Sequence, residues 1–159
     1  TGDGITSAAH NGYMENVKFL HEIGLQCEII AINGAAVKGF LEIVIFLHEK
    51  YNLICSNWVM TEAGENGHLE ILKYLHEIGC ELTHDSMERA AAKNQIEVMN
   101  FFHSIGGVFT DEYMCYAAKH GSLEMIQFLH EFGIIVTKHT MVYAVERGNL
   151  ENLQYLYMV

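Results

Sequence analysis

The same phrase returns six times along the chain. It is marked by Glu15, Glu42, Glu70, Glu97, Glu124 and Glu151, so successive markers lie 27, 28, 27, 27 and 27 residues apart. Self-similarity at a fixed period predicts a stack of small supersecondary units, none of which can bury its apolar face alone. Length then counts units. The 159 residues hold six, over residues 1–27, 28–55, 56–82, 83–109, 110–136 and 137–159. Proline is absent, which removes the usual linker punctuation and predicts one continuous array over 1–159 without a domain boundary.

With the marker glutamate at position zero, position −3 holds Gly12, Gly39, Gly67, Asn94, Gly121 and Gly148. Glycine and asparagine tolerate the left-handed backbone that ends a helix, so one helix should stop here and another begin almost at once. Positions −10, −7 and −6 read Met87, Ala90, Ala91, then Met114, Ala117, Ala118, then Met141, Ala144, Val145, an i, i+3, i+4 stripe that predicts a short first helix. Thr1, Ser56, Thr83, Thr110 and Thr137 at −14 are its expected caps, with Glu28 in the second unit. The second helix is apolar at −1, +1, +2, +4, +5 and +8, as in Leu69 through Ile78, so it should touch both its partner and adjacent units. Gly24, Gly79, Gly106 and Gly133 close it, with Tyr51 and an extra residue in the second unit. The next cap, Thr83, stands only four positions after Gly79, room for a turn but hardly for a strand hairpin. The expected fold is therefore all-α, a helix-turn-helix repeat solenoid of six stacked units with hairpins reduced or absent.

The run Ala117-Ala118-Lys119-His120-Gly121-Ser122-Leu123-Glu124-Met125-Ile126-Gln127-Phe128-Leu129 resembles the ankyrin repeat, and the resemblance extends over all six units. Its paired alanines, glycine and Leu-Glu recur at that family's spacing, and Gly67-His68-Leu69-Glu70 has the form of its common helix junction. The period departs from about 33 in that family, and no Thr-Pro-Leu-His occurs. This shortened form is similar to the divergent ankyrin arrays of amoeba-infecting giant viruses and some protists. The resemblance implies a scaffold that binds a protein through its first helices and adjoining loops, with no cofactor or small-molecule ligand. An alternative is the substrate-recruiting arm of a larger enzyme, such as a ubiquitin ligase adaptor. The sixth unit ends Leu156-Tyr157-Met158-Val159, more apolar than a terminal cap should be, and further repeats or a cap are expected beyond it.

The net charge of −11 comes from 20 acids against 9 bases with no basic stripe. Nucleic-acid binding rests on lysine and arginine releasing counterions, and anionic membranes attract basic segments, so neither is an expected partner. Four cysteines without a C-x-x-C pair read as reduced thiols of a cytoplasmic chain. His21, His48, His76, His103 and His130 repeat at +6, yet neighbouring helices are about 8–10 Å apart and such a ladder cannot converge on one metal. They should instead hydrogen-bond a carbonyl or side chain across the unit boundary. No phosphate loop, H-E-x-x-H or nucleophile–base spacing appears, so no enzyme is expected.

Binding is expected where residues vary within the fixed frame, at −12, −9, −8 and −5. That stripe carries Trp58, Thr61, Glu62 and Glu65, then Glu88 and Arg89, then Glu112, Tyr116 and Lys119, then His139, Tyr143 and Glu146. Tryptophan, tyrosine and arginine dominate interface energetics, which singles out Trp58, Arg89, Tyr116 and Tyr143, flanked by Glu62, Glu112, Lys119 and Glu146. The acidic surroundings favour a basic partner surface.

Overall fold

The structure, a computed structural model, describes residues 3–120 and 122–159. These residues form twelve helices and no strand. In chain order they pair as α1 (Asp3–His10) with α2 (Met14–Glu22), α3 (Ile29–Val37) with α4 (Leu41–Tyr51), and α5 (Trp58–Glu65) with α6 (Leu69–Glu77). Then follow α7 (His84–Ala92) with α8 (Ile96–Ser104), α9 (Asp111–His120) with α10 (Leu123–Glu131), and α11 (Lys138–Arg147) with α12 (Leu150–Met158). Among the described residues no helix is long and apolar enough to cross a membrane. The chain forms two compact units, one of the residues up to Ala63 with His68–Glu81, the other of Gly64–Gly67 with Leu82–Val159.

In the first unit the first helices α1 and α3 pack on each other, and the second helices run α2 on α4 and α4 on α6. The alanine pairs Ala8–Ala9 and Ala35–Ala36 are buried between first helices, where the absence of bulk permits close approach. Ile43, Val44 and Leu47 of α4 and Ile71, Leu72 and Leu75 of α6 fill the second layer. The second unit repeats this, with α7 on α9, α9 on α11, and α10 on α12. Met87, Ala90, Ala91, Met114, Ala117 and Ala118 are buried as their spacing predicts. Of Met141, Ala144 and Val145, only Ala144 is buried, and Val145 is 60% exposed on the side of α11 turned away from its packed face.

Each junction residue that the structure describes has the left-handed backbone, with φ of +77° at Gly12, +88° at Gly39, +76° at Gly67, +59° at Asn94 and +71° at Gly148. Gly121 and the cap expected at Thr1 fall outside the described residues. Beyond conformation, the junction is a point of contact between successive pairs. A Cβ on Gly12 would lie 2.7 Å from the Phe40 ring, on Gly39 2.9 Å from the His68 ring, and on Gly67 2.5 Å from the Gln95 amide. Phe40, His68 and Gln95 all stand at −2 of the following pair. His68 Nε2 reaches the Val37 carbonyl at 3.1 Å and Gln95 Nε2 donates to the Glu65 carbonyl at 3.1 Å, both acceptors at −5 of the pair before. Where Asn94 replaces the glycine, the next −2 residue is the small Ser122, and its hydroxyl donates to Asn94 Oδ1.

Caps and closures follow the expected register with exceptions. Thr83 accepts from the Ser86 N–H, and Thr137 makes a capping box with Thr140. Ser56 does not cap. Its N–H and hydroxyl are both taken by the amide of Asn33 at 3.0 and 3.1 Å, and α5 starts at Trp58. The Thr110 hydroxyl is buried with no partner among the described residues. In the second pair the closing residue is Asn52, at φ +53°, one past Tyr51, whose phenol instead donates to the Leu25 carbonyl at 2.9 Å.

The +6 histidines do not share one role. The hydrogen bonds of His48 and His103 go to the Leu53 and Gly107 carbonyls at 2.8 and 3.1 Å and pin their own outgoing loops, while their rings meet Tyr74 and Phe132 of the next pair edge-on. The loop turns back under the last helical turn, which brings its carbonyl within reach of the ring first. His130 does bridge, to the Tyr155 hydroxyl at 2.9 Å, and His21 packs edge-on against Phe46 and Tyr51. Among the described residues no three His, Cys, Asp or Glu side chains cluster as metal ligands.

Candidate binding clefts on the first helices

Positions −12, −9, −8 and −5 are spaced i, i+3, i+4, i+7, so they form one face of a short helix, while −10, −7 and −6 form the stripe that is buried in every pair before the sixth. Two clefts lie on that face, one in each compact unit. In the first unit α1 supplies Asp3, Thr6, Ser7 and His10, and α3 supplies Ile30, Asn33, Gly34 and Val37, the four stripe positions of each helix in order. Trp58 at the start of α5 lines the same space, of about 680 Å³. A Cβ on Gly34 would lie 3.0 Å from His10 Nδ1, so the glycine lets α1 and α3 come together beneath the cleft. Trp58 is 52% exposed and Ile30 60%, which leaves an apolar wall open to solvent.

The second cleft, of about 450 Å³, lies between α9 and α11. Asp111, Glu112, Cys115, Tyr116 and Lys119 come from α9, and His139 and Tyr143 from α11. The Lys119 ammonium sits 5.9 Å above the centre of the Tyr143 ring. The Glu88 side chain beside Tyr116, followed by burial, pushes its phenol up to about 12. Glu112 is held 3.2 Å from His84 Nε2, and His84 Nδ1 lies 2.6 Å from the hydroxyl of Tyr113. The Tyr113 hydroxyl also lies 3.8 Å from Met87 Sδ, so it sits between that sulfur and the imidazole that meets Glu112. Burial pushes Tyr113 up to about 12, so its phenol keeps its proton and is not a nucleophile. The Cys115 thiol lies 3.5 Å from the Thr140 hydroxyl and 3.9 Å from that of Thr137. Cys27 and Cys55 are pushed by burial to about 11 and about 12, so both remain protonated thiols.

Of the residues singled out from sequence, Glu112, Tyr116, Lys119 and Tyr143 converge in the second cleft, and Trp58 lines the first. Glu62 and Glu146 line neither. Arg89 is drawn away to Glu65 at 3.0 Å and Asp85 at 3.5 Å. The stripe positions of the first two pairs, Ile30 and His10 among them, were legible by the same register but carry no residue type that draws notice. Asp111, one residue before the stripe, had no sequence signal.

Glu65 also receives Lys93 at 3.4 Å, and the Arg89 guanidinium hydrogen-bonded to it, with Lys93 behind, holds its carboxyl below the ordinary value of 4.5. A depressed carboxyl stabilises the fold above its unfolded value and loses that contribution as pH falls through the folded one. Glu65→Gln is therefore expected to cost about 0.5–1 kcal/mol at pH 7. In urea titrations the gap from wild type should close as the pH drops below 4.5.

Compared with family models and with curated proteins, the chain matches none.

Proposed function

We propose that the chain is a protein–protein interaction scaffold, a solenoid of six shortened, ankyrin-like helix pairs that holds a partner in the clefts of its first helices and carries no catalysis of its own. One observation carries this reading. Both clefts fall on the same stripe positions, and there the residue changes from pair to pair, as in Ser7, Gly34, Glu62, Arg89, Tyr116 and Tyr143 at −8. One position along, at −7, every pair has alanine. A frame held constant beneath a varied surface is what recognition by a repeat scaffold requires. The net charge of −11 and the carboxylates beside the second cleft favour a basic partner. Four unpaired cysteines favour a reducing, cytoplasmic setting.

The test is affinity capture with the chain as bait beside a folded Trp58→Ala, Tyr116→Ala, Tyr143→Ala variant. Wild type is expected to retain a protein that the variant loses by tenfold or more, as truncated interface anchors do, on the order of 1.4 kcal/mol or above. Equal capture by both would remove the first-helix clefts as the binding surface.

A further inference from the structure

Resting on the scaffold reading, we propose that the cleft between α9 and α11 receives one arginine side chain of the partner. Its guanidinium lies on the Tyr143 ring where the Lys119 ammonium now sits and pairs with the carboxylates of Asp111 and Glu112.

Three independent features of the cleft point to a cation. The first is charge, since two carboxylates face one ammonium in a space of about 450 Å³, enough for one long side chain and too small for a folded element. The second is the aromatic wall. Tyr143 already holds a cation 5.9 Å above its face, at the outer edge of the range over which a ring quadrupole attracts one. Lys119 has no carboxylate partner among the described residues, so it is held loosely and is displaced at little cost. The third is preorganisation. Glu112 is already held 3.2 Å from His84, so less of its freedom is lost when a ligand enters.

Arginine fits these features better than lysine. A planar guanidinium can stack on a tyrosine and still offer its fork of N–H donors to a carboxylate in the plane, whereas an ammonium that lies on the ring has no such second edge. Lys119 then acts as a resident competitor that keeps neutral groups and weakly bound cations out.

The test is an NMR titration of the whole 159-residue chain with three blocked pentapeptides that differ only in a central arginine, lysine or citrulline. The arginine peptide is expected to shift the ring signals of Tyr116 and Tyr143 saturably. Lysine should bind about threefold to tenfold more weakly, and citrulline, which has the same shape without charge, should not saturate. Lys119→Gln, on an exposed side chain, should tighten arginine binding about threefold by removing the competitor, and Tyr143→Leu should weaken it about tenfold. Citrulline binding as well as arginine, or Lys119→Gln binding more weakly than wild type, overturns the proposal. So does an arginine peptide that produces no saturable shift. If that failure is met while a captured protein still depends on Tyr116 and Tyr143, the arginine assignment falls and the scaffold reading stands.

Discussion

Asn152→Leu is expected to stabilise the protein by about 1–3 kcal/mol, against the usual sign for a core substitution. Asn152 is fully buried on α12, and neither its amide oxygen nor its amide nitrogen has a hydrogen-bond partner among the described residues. Its backbone N–H donates to the Asn149 side chain at 3.1 Å, which leaves the side-chain amide untouched. Burying a polar group without compensation costs a few kcal/mol at most in proteins, and replacing it by an apolar group of the same shape recovers much of that. The repeat itself names the replacement. At the same +1 position the four interior pairs carry Ile43, Ile71, Val98 and Met125, all buried. Leucine is nearest to asparagine in outline, so the site should not need to expand. In urea the midpoint should rise with the slope unchanged, and the melting temperature should climb by roughly 3–10 °C. A fall in stability would mean that the amide is solvated by a trapped water, and the expectation would be wrong.

The second large effect concerns two glycines of the same compact unit. Gly12 and Gly79 have nearly equal left-handed backbones, at φ +77° and +91°, yet only Gly12 is covered. Gly79→Ala puts its methyl group into open space and should cost only the conformational term, about 1–2 kcal/mol. Gly12→Ala incurs the same term and also drives its methyl to 2.7 Å from the Phe40 ring, which must move out of a packed position. A loss of about 3–4 kcal/mol is expected, the excess being the overpacking penalty. Phe40→Ser in the Gly12→Ala background should cancel most of that excess, because the same combination of a side chain at −3 and serine at −2 already occurs at Asn94 and Ser122. Equal losses for the two glycines, measured by chemical denaturation, would show that the ring moves freely and that only backbone conformation matters.

What could be read in advance depended on whether a residue's role is local. The helix pairs were legible because Gly67 or Asn94 declares its backbone by its chemistry alone, and because alanine at −7 leaves first helices no choice but close contact. Caps were legible only where nothing outside the turn competes. Thr83 and Thr137 serve their own helices, whereas Ser56 is claimed by Asn33, a residue 23 positions earlier. The same distinction governs the clefts. Tyr116, Lys119 and Tyr143 met because one register repeated on two adjacent helices brings like positions together. Arg89 had the right register and the right side chain, but whether it faces a partner or its own chain depends on Glu65 standing across the pair boundary at 3.0 Å. No periodicity encodes that.

The covered junction also sets rules for how such an array could lengthen or shorten over generations. Glycine at −3 accepts a phenylalanine, a histidine or a glutamine from the next pair without distinction, as Phe40, His68 and Gln95 demonstrate, so a pair with glycine at its inner junction can be followed by a copy of almost any other. Asn94 is different, because its socket is already filled by its own side chain. A tandem duplication of residues 83–109 would set a second Gln95-type side chain against Asn94 and force the two into the same volume, whereas a copy headed by serine would seat at once. One amide thus turns an interchangeable link into one that fixes its neighbour, and the order of the fourth and fifth pairs becomes the part of the array least free to be reshuffled.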